Sequence, residues 1–140
     1  MATHFVRLND EWNAEPNAPM ETVQISDGDT VVLEFYLNSF AFTAFTEEHR
    51  GRLIFEGVTK YRLGPPNDEG WYRGKCRFSG LAPEWGEFYE INGELFDEAV
   101  AWQFLSNREA QGSPRTRYLF YLRDRTFECD ALTWRFDVIK

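Results

Sequence analysis

The chain has 140 residues, 43% of them hydrophobic and 17% aromatic, and a formal net charge of −8 from 15 basic and 23 acidic side chains. A chain of this length buries roughly two-thirds of its unfolded surface on folding, so one core suffices and no disulfide or metal staple is required. The 13 Phe, 6 Tyr and 5 Trp exclude a disordered chain and point to β-structure. The acid excess argues against nucleic acid and anionic membranes as partners, because both are bound by clustered Lys and Arg.

A single domain over residues 1–140 is the expectation. The opening "MATHFVRLNDEW" has neither the basic nor the apolar region of a signal peptide, and no apolar run approaches the ~20 residues of a membrane span, so a cytoplasmic protein is expected. Cys76 and Cys129 fall in no metal or redox spacing. Two reduced thiols are the expectation, and neither a metal nor another cofactor is predicted.

In chain order, "NDEWNAEPNAP" reads as a loop, and "TVQIS" with "TVVLEFYLN" as a hairpin turning at "DGD". Val31, Leu33, Phe35 and Leu37 share one face of the second strand. "GRLIFEGV" and "TKYRL" continue the strand pattern. "PPNDEG" reads as a hairpin loop, because proline cannot donate to a ladder and Asn, Asp and Gly favour turns. "GWYRGKCRF" then alternates, which predicts a strand with Trp71, Arg73, Lys75 and Arg77 on one face and Cys76 on the other.

"GEFYEING", "RYLFYLR", "TFECDA" and "LTWRFDVI" predict further strands. "RYLFYLR" is apolar on both faces and is placed centrally. "AVAWQFL" is assigned as a strand over residues 100–105, although Leu95, Ala99 and Trp102 also fit a helical face. The apolar set is odd-numbered through Phe127, Cys129 and Ala131 but even-numbered through Leu132, Trp134, Phe136 and Val138, so a bulge or bend near Ala131 is implied. "NREAQGSPRT" reads as a mobile loop. Eight to ten short strands with at most one or two short helices predict an all-β, mainly antiparallel fold, either a β-sandwich or a curved sheet closing toward a barrel.

The charge is segregated. Residues 9–48 hold nine carboxylates and no Lys or Arg, residues 50–77 hold seven bases against three acids, and residues 84–98 hold six acids and no base. Such a field attracts and steers a basic protein. Asp68, Glu69 and Trp71 in the "PPNDEGW" loop, and Glu84, Trp85, Glu87, Tyr89 and Glu90 in "EWGEFYE", combine carboxylates with aromatic rings and are the candidate binding residues. The cations Arg73, Lys75 and Arg77 are expected to pair across strands with Glu87 and its neighbours.

Catalytic chemistry finds little material. Paired carboxylates beside aromatics invite a glycosidase reading, but Glu87 and Glu90 point to opposite faces of a strand. No nucleophile elbow, phosphate loop, zinc-protease or calcium-loop motif occurs. No catalytic residue is assigned. The expected function is non-enzymatic capture of a basic protein, in the manner of small bacterial interaction proteins that neutralise toxins, a comparison of class that carries no residues across. The alternative is a small-molecule or carbohydrate binder or hydrolase with an aromatic-lined barrel cavity.

Overall fold

The computed structural model describes residues 2–65, 67–74, 78, 81–97, 100–105 and 114–140, with Trp71 described by its backbone alone. In chain order the elements are β1 (His4–Arg7), β2 (Thr22–Ser26), β3 (Thr30–Tyr36), β4 (Arg50–Glu56), β5 (Lys60–Gly64), α1 (Asp68–Tyr72), β6 (Phe88–Asn92), β7 (Gln103–Phe104), β8 (Thr116–Tyr121), β9 (Thr126–Ala131) and β10 (Thr133–Ile139). They form two antiparallel sheets. One has six strands in the order β1-β6-β8-β9-β5-β7, and the other has four in the order β10-β4-β3-β2.

The two sheets share one core, so the architecture is a sandwich and not a closed barrel. Val31, Leu33 and Phe35 of β3 and Leu53 and Phe55 of β4 meet Phe88, Tyr118, Phe120, Phe127 and Cys129 of the six-stranded sheet. Each buried aromatic of this kind stabilises by roughly 1.5–3 kcal/mol through burial alone. The expected hairpin forms between β2 and β3, with Asp27 at φ 53° and Gly28 at φ 82° making the turn. β8 lies between β6 and β9 in the interior of its sheet, where its doubly apolar sequence placed it.

The change of apolar parity at Ala131 has a topological cause. β9 ends at Ala131 in the six-stranded sheet and β10 begins at Thr133 in the four-stranded sheet, so the chain crosses from one layer to the other at Leu132. A strand that changes layers must present its other face to the shared core, and Trp134 and Phe136 accordingly pack against it.

Two sequence expectations are corrected. The stretch after β5 is not a hairpin loop leading into a strand. It is the short helix α1, followed by a turn in which Gly74 has φ 74°. Asn67 Oδ1 accepts the Gly70 N–H at 2.9 Å, and Asp68 and Glu69 occupy the first turn. This N-cap with acids at the positive helix end outweighs the period-2 pattern over those residues. Of the proposed cationic face, Arg73 sits in the turn, whereas Lys75 and Arg77, like Cys76, lie outside the described residues. Second, the strand assigned to residues 100–105 is reduced to Gln103–Phe104, which pairs with Lys60 and Tyr61 of β5. Of the loop expected over residues 107–116, residues 107–113 lie outside the described residues and Thr116 opens β8.

The "NDEWNAEPNAP" segment is a loop, but it contributes to the core. Trp12 is 7% exposed and lies parallel to Phe136 at a centroid distance of 4.0 Å, with its edge contacts on Phe120. An indole at the open end of the sandwich thereby ties the β1–β2 connection to both sheets.

Candidate functional site

The outer face of the six-stranded sheet divides into an apolar half and a charged half. In the apolar half, Phe78 and Ala82 cover Tyr89, Ile91, Leu119 and Tyr121. In the charged half, Arg117 is 2% exposed and its guanidinium meets Asp97 and Asp130, with Glu128 at 3.6 Å. Arg62 pairs with Glu128 at 3.2 Å, and Lys60 with Asp97 and Asp130 at 3.6 and 3.7 Å. Trp102 takes Lys60 Nζ at 4.6 Å and the Arg117 guanidinium at 4.5 Å on its ring. Burial alone would lower the Arg117 pKa, but the hydrogen bonds it donates to Asp97 and Asp130 outweigh it and hold the group charged above its usual range. Three cations and three anions neutralise one another here, so this is internal structure and not a reception site for an ion.

A different region collects the sequence candidates. Asp68 at the start of α1, Trp85 and Glu87 before β6, and Glu15 from the β1–β2 connection line one cleft of about 260 Å³. α1 is attached there by the Asp68 N–H, which donates to the Arg123 carbonyl at 3.0 Å. Trp85 stacks on Tyr121, with centroids 4.5 Å apart and planes inclined by 26°. The Glu87 carboxylate is held from below by Asn9, whose Nδ2 donates to Oε2, while Asn13 Nδ2 reaches Oε1 at 3.5 Å. Asn9 is 2% exposed and also accepts the Phe88 N–H at 3.1 Å, so a buried amide orients the carboxylate.

Glu15 is shared with a neighbouring groove of about 430 Å³, floored by Met20, Leu37 and Phe40 and edged by Glu47 and Glu48. Phe40 is 77% exposed and Met20 64%. Asn38 Oδ1 accepts the N–H groups of Phe40 and Ala41, each at 3.1 Å, which holds the turn that presents the Phe40 ring. Met20 has φ 50°, a conformation that disfavours side chains other than glycine, and its thioether is displayed where the groove opens.

The remaining candidates lie elsewhere. Glu69 is exposed on α1 next to Asp68, and Glu84 is exposed ahead of Trp85. The Trp71 side chain lies outside the described residues. Tyr89 is 1% exposed, and its hydroxyl bridges the N–H and carbonyl of Glu84 at 3.0 and 2.9 Å. Burial, opposed only in part by the Glu84 backbone hydrogen bond, raises its pKa to about 12. Tyr89 therefore braces the loop that carries Trp85 rather than lining the cleft. Glu90 sits within β6 opposite Tyr118, with its Oε2 accepting from Asn92 at 3.3 Å. Among the described residues Glu87 makes no ion pair, and Lys75 and Arg77, two of its three expected partners, lie outside them. Among the described residues, directly opposed cross-strand ion pairs join Arg117 with Asp130, Arg62 with Glu128, Lys60 with Asp130 and Arg52 with Glu34.

Sequence reasoning missed Asn9, Asn13, Met20 and Phe40. Glu15, Glu47 and Glu48 were visible as members of the base-free run, but nothing in a linear pattern joins them to Glu87. Among the described residues, no group of three or more His, Cys, Asp or Glu is placed to hold a metal, and no helix is long and apolar enough to cross a membrane. Comparison of the chain with protein-family models, with curated proteins and with solved structures returned no match.

Proposed function

We propose that this protein is a non-enzymatic binding domain that captures a basic protein partner on the face formed by the two adjoining depressions. One observation carries the reading. The linings of cleft and groove together hold five carboxylates, Glu15, Glu47, Glu48, Asp68 and Glu87, against one cation, Arg123. The described ion pairs involve none of the five.

The outer face of the four-stranded sheet provides the contrast. There Glu34 pairs with Arg52 at 3.6 Å and Glu56 with Arg135 at 2.7 Å, so two of its carboxylates are answered within the chain. The cleft side leaves its negative field directed outward, where it raises the encounter rate of a positive partner. Phe40, Met20 and Tyr72 supply exposed apolar contact beside the carboxylates, the mixture of anchor and charge that specific interfaces use. A cavity-forming small-molecule binder is favoured less, because the aromatic side chains it needs are packed against one another between the sheets.

The test uses a panel of Arg- and Lys-rich peptides and small basic proteins, measured by titration against the wild type, Glu47→Lys/Glu48→Lys and the matched reversal Asp137→Lys on β10. The expected result is salt-sensitive binding that falls at least tenfold in the double variant and is unchanged in Asp137→Lys. Equal binding by all three proteins, or equal loss in both variants, would place recognition away from this face.

A further inference from the structure

Resting on that reading, we infer that the cleft beside Trp85 is a receptor for a single guanidinium group, so that one arginine of the partner is the anchor of recognition. Its volume of about 260 Å³ falls below the roughly 300–1,000 Å³ of sites that enclose whole small molecules. It has room for one long side chain. Its walls alternate two kinds of group that a guanidinium uses at once, namely aromatic faces and hydrogen-bond acceptors.

The aromatic wall is Trp85 with Tyr121, at 4.5 Å and near-parallel, and Tyr72 stands 70% exposed at the rim. The acceptors are the carboxylates of Glu87, Asp68 and Glu15. They are joined by Asn13 Oδ1, a buried oxygen with no hydrogen-bond donor among the described residues. The amide is turned this way because its Nδ2 faces Glu87 Oε1. Reversing it would set oxygen against carboxylate and relieve nothing. The unsatisfied acceptor is thus built in by the position of Glu87. A buried acceptor left unpaired carries a penalty of roughly 1–3 kcal/mol, which an incoming N–H donor removes.

Arg123 also lines the cleft but is already engaged, donating from Nη1 to the Asn17 carbonyl at 2.8 Å. Two carboxylates remain in excess. Glu15 Oε2 accepts the N–H groups of Asn17 and Ala18 within its own loop, while Glu87 accepts from the side-chain amides of Asn9 and Asn13. Asp68 and Glu87 are the acceptors assigned to the site. Arginine is preferred over lysine on geometry. Five donors in one plane reach acceptors spread around a slot and stack on its aromatic wall, whereas an ammonium is a compact point charge with strong hydration.

The experiment is a ¹H–¹⁵N NMR titration of the full chain with three capped tripeptides, acetyl-Gly-X-Gly-amide, where X is arginine, lysine or the neutral isostere citrulline. Saturable shifts are expected at the Asn13 side-chain amide and the Trp85 indole with arginine, at least fivefold weaker with lysine and absent with citrulline. Asp68→Asn and Glu87→Gln should each weaken the arginine titration at least fivefold. Two variants are used because Glu87 is joined to the buried Asn9, while Asp68 lies at the surface end of α1. If lysine matches arginine, or shifts appear only around Phe40, Glu47 and Glu48, the guanidinium site is wrong while capture of a basic partner stands. If no cationic peptide produces saturable shifts and the charge-reversal panel also shows no difference, both readings fall.

Discussion

Arg117 grips Asp97 at two points, with Nη1 2.9 Å from Oδ1 and Nη2 2.8 Å from Oδ2, although Asp97 lies outside the strands, in the connection after β6. Arg117 projects from the outer face of β8, while Asp97 lies in the segment that runs over that face toward β7. A bidentate ion pair at 2% exposure of the arginine fixes that covering segment far more firmly than a surface pair would. Arg117→Ala is expected to destabilise the fold by about 3–5 kcal/mol, because the buried network loses its central cation and Lys60 and Arg62 are left to face Asp97, Asp130 and Glu128. Asp97→Asn should lower stability by about 1–2 kcal/mol, since Arg117 keeps Asp130. Urea unfolding measures both, and a larger loss in Asp97→Asn than in Arg117→Ala would show that the network is organised around the wrong residue.

Gly51 stands at the second position of β4, where a side chain would enter the core. A Cβ there would lie 2.8 Å from the Phe136 ring and 2.9 Å from the Phe35 ring. The strand accepts the entropic penalty of glycine because two aromatic rings occupy the space. Gly51→Ala is expected to lower the urea midpoint by the equivalent of about 1–3 kcal/mol, through displacement of both rings. A neutral outcome would mean that the two sheets separate more easily than this packing implies.

Tyr89 gives the protein an alkaline limit. Its pKa is raised from 10.0 to about 12, first by burial, with nearby Glu87 and Glu84 acting in the same direction. The folded state holds the phenolic proton more tightly than the unfolded state. This contribution to stability is therefore constant below pH 10 and is lost as the pH rises from about 10 to about 12. Tyr118 and Cys129 are raised in the same sense by burial. Stability measured across that range should fall for the wild type and fall less steeply for Tyr89→Phe. Equal slopes would exclude Tyr89 as the titrating group.

Cys129 should behave as an inert thiol. It is fully buried in the sandwich core, and burial pushes its pKa well above 9.0, so the thiolate that reacts with disulfide reagents is suppressed. In a Cys76→Ser background, where Cys129 is the single thiol, labelling by an aromatic disulfide reagent is expected only at the rate of unfolding and to become fast in urea. Fast labelling of the native protein would contradict the tight inter-sheet packing around Phe127 and Tyr118.

The strands that one periodicity describes were legible without coordinates. Along β3 the residues Val31, Leu33 and Phe35 face the core because a strand with one buried side needs apolar residues at every second position. The parity change at Ala131 was legible as a break but not as a change of layer, since a bend, a bulge and a sheet crossing leave the same trace in one dimension. The alternation over "GWYRGKCRF" misled, because the cap provided by Asn67 and the acids of the first helical turn act over the same few residues and compete with it.

Local chemistry and patterning thus determined the antiparallel all-β class, the central position of β8 and the segregation of acidic from basic stretches. The choice of sandwich over barrel was made only in three dimensions, by the packing of β3, β4 and β10 against the six-stranded sheet. Tertiary structure also decided which acids stand together. Glu15, Asp68 and Glu87 come from three separated segments, and it is the attachment of α1 to Arg123 and the hold of Asn9 on Glu87 that join them in one cleft. The physical reason is range. Period and capping act within a few residues, whereas the neighbours of a carboxylate across a cleft are set by how whole layers pack.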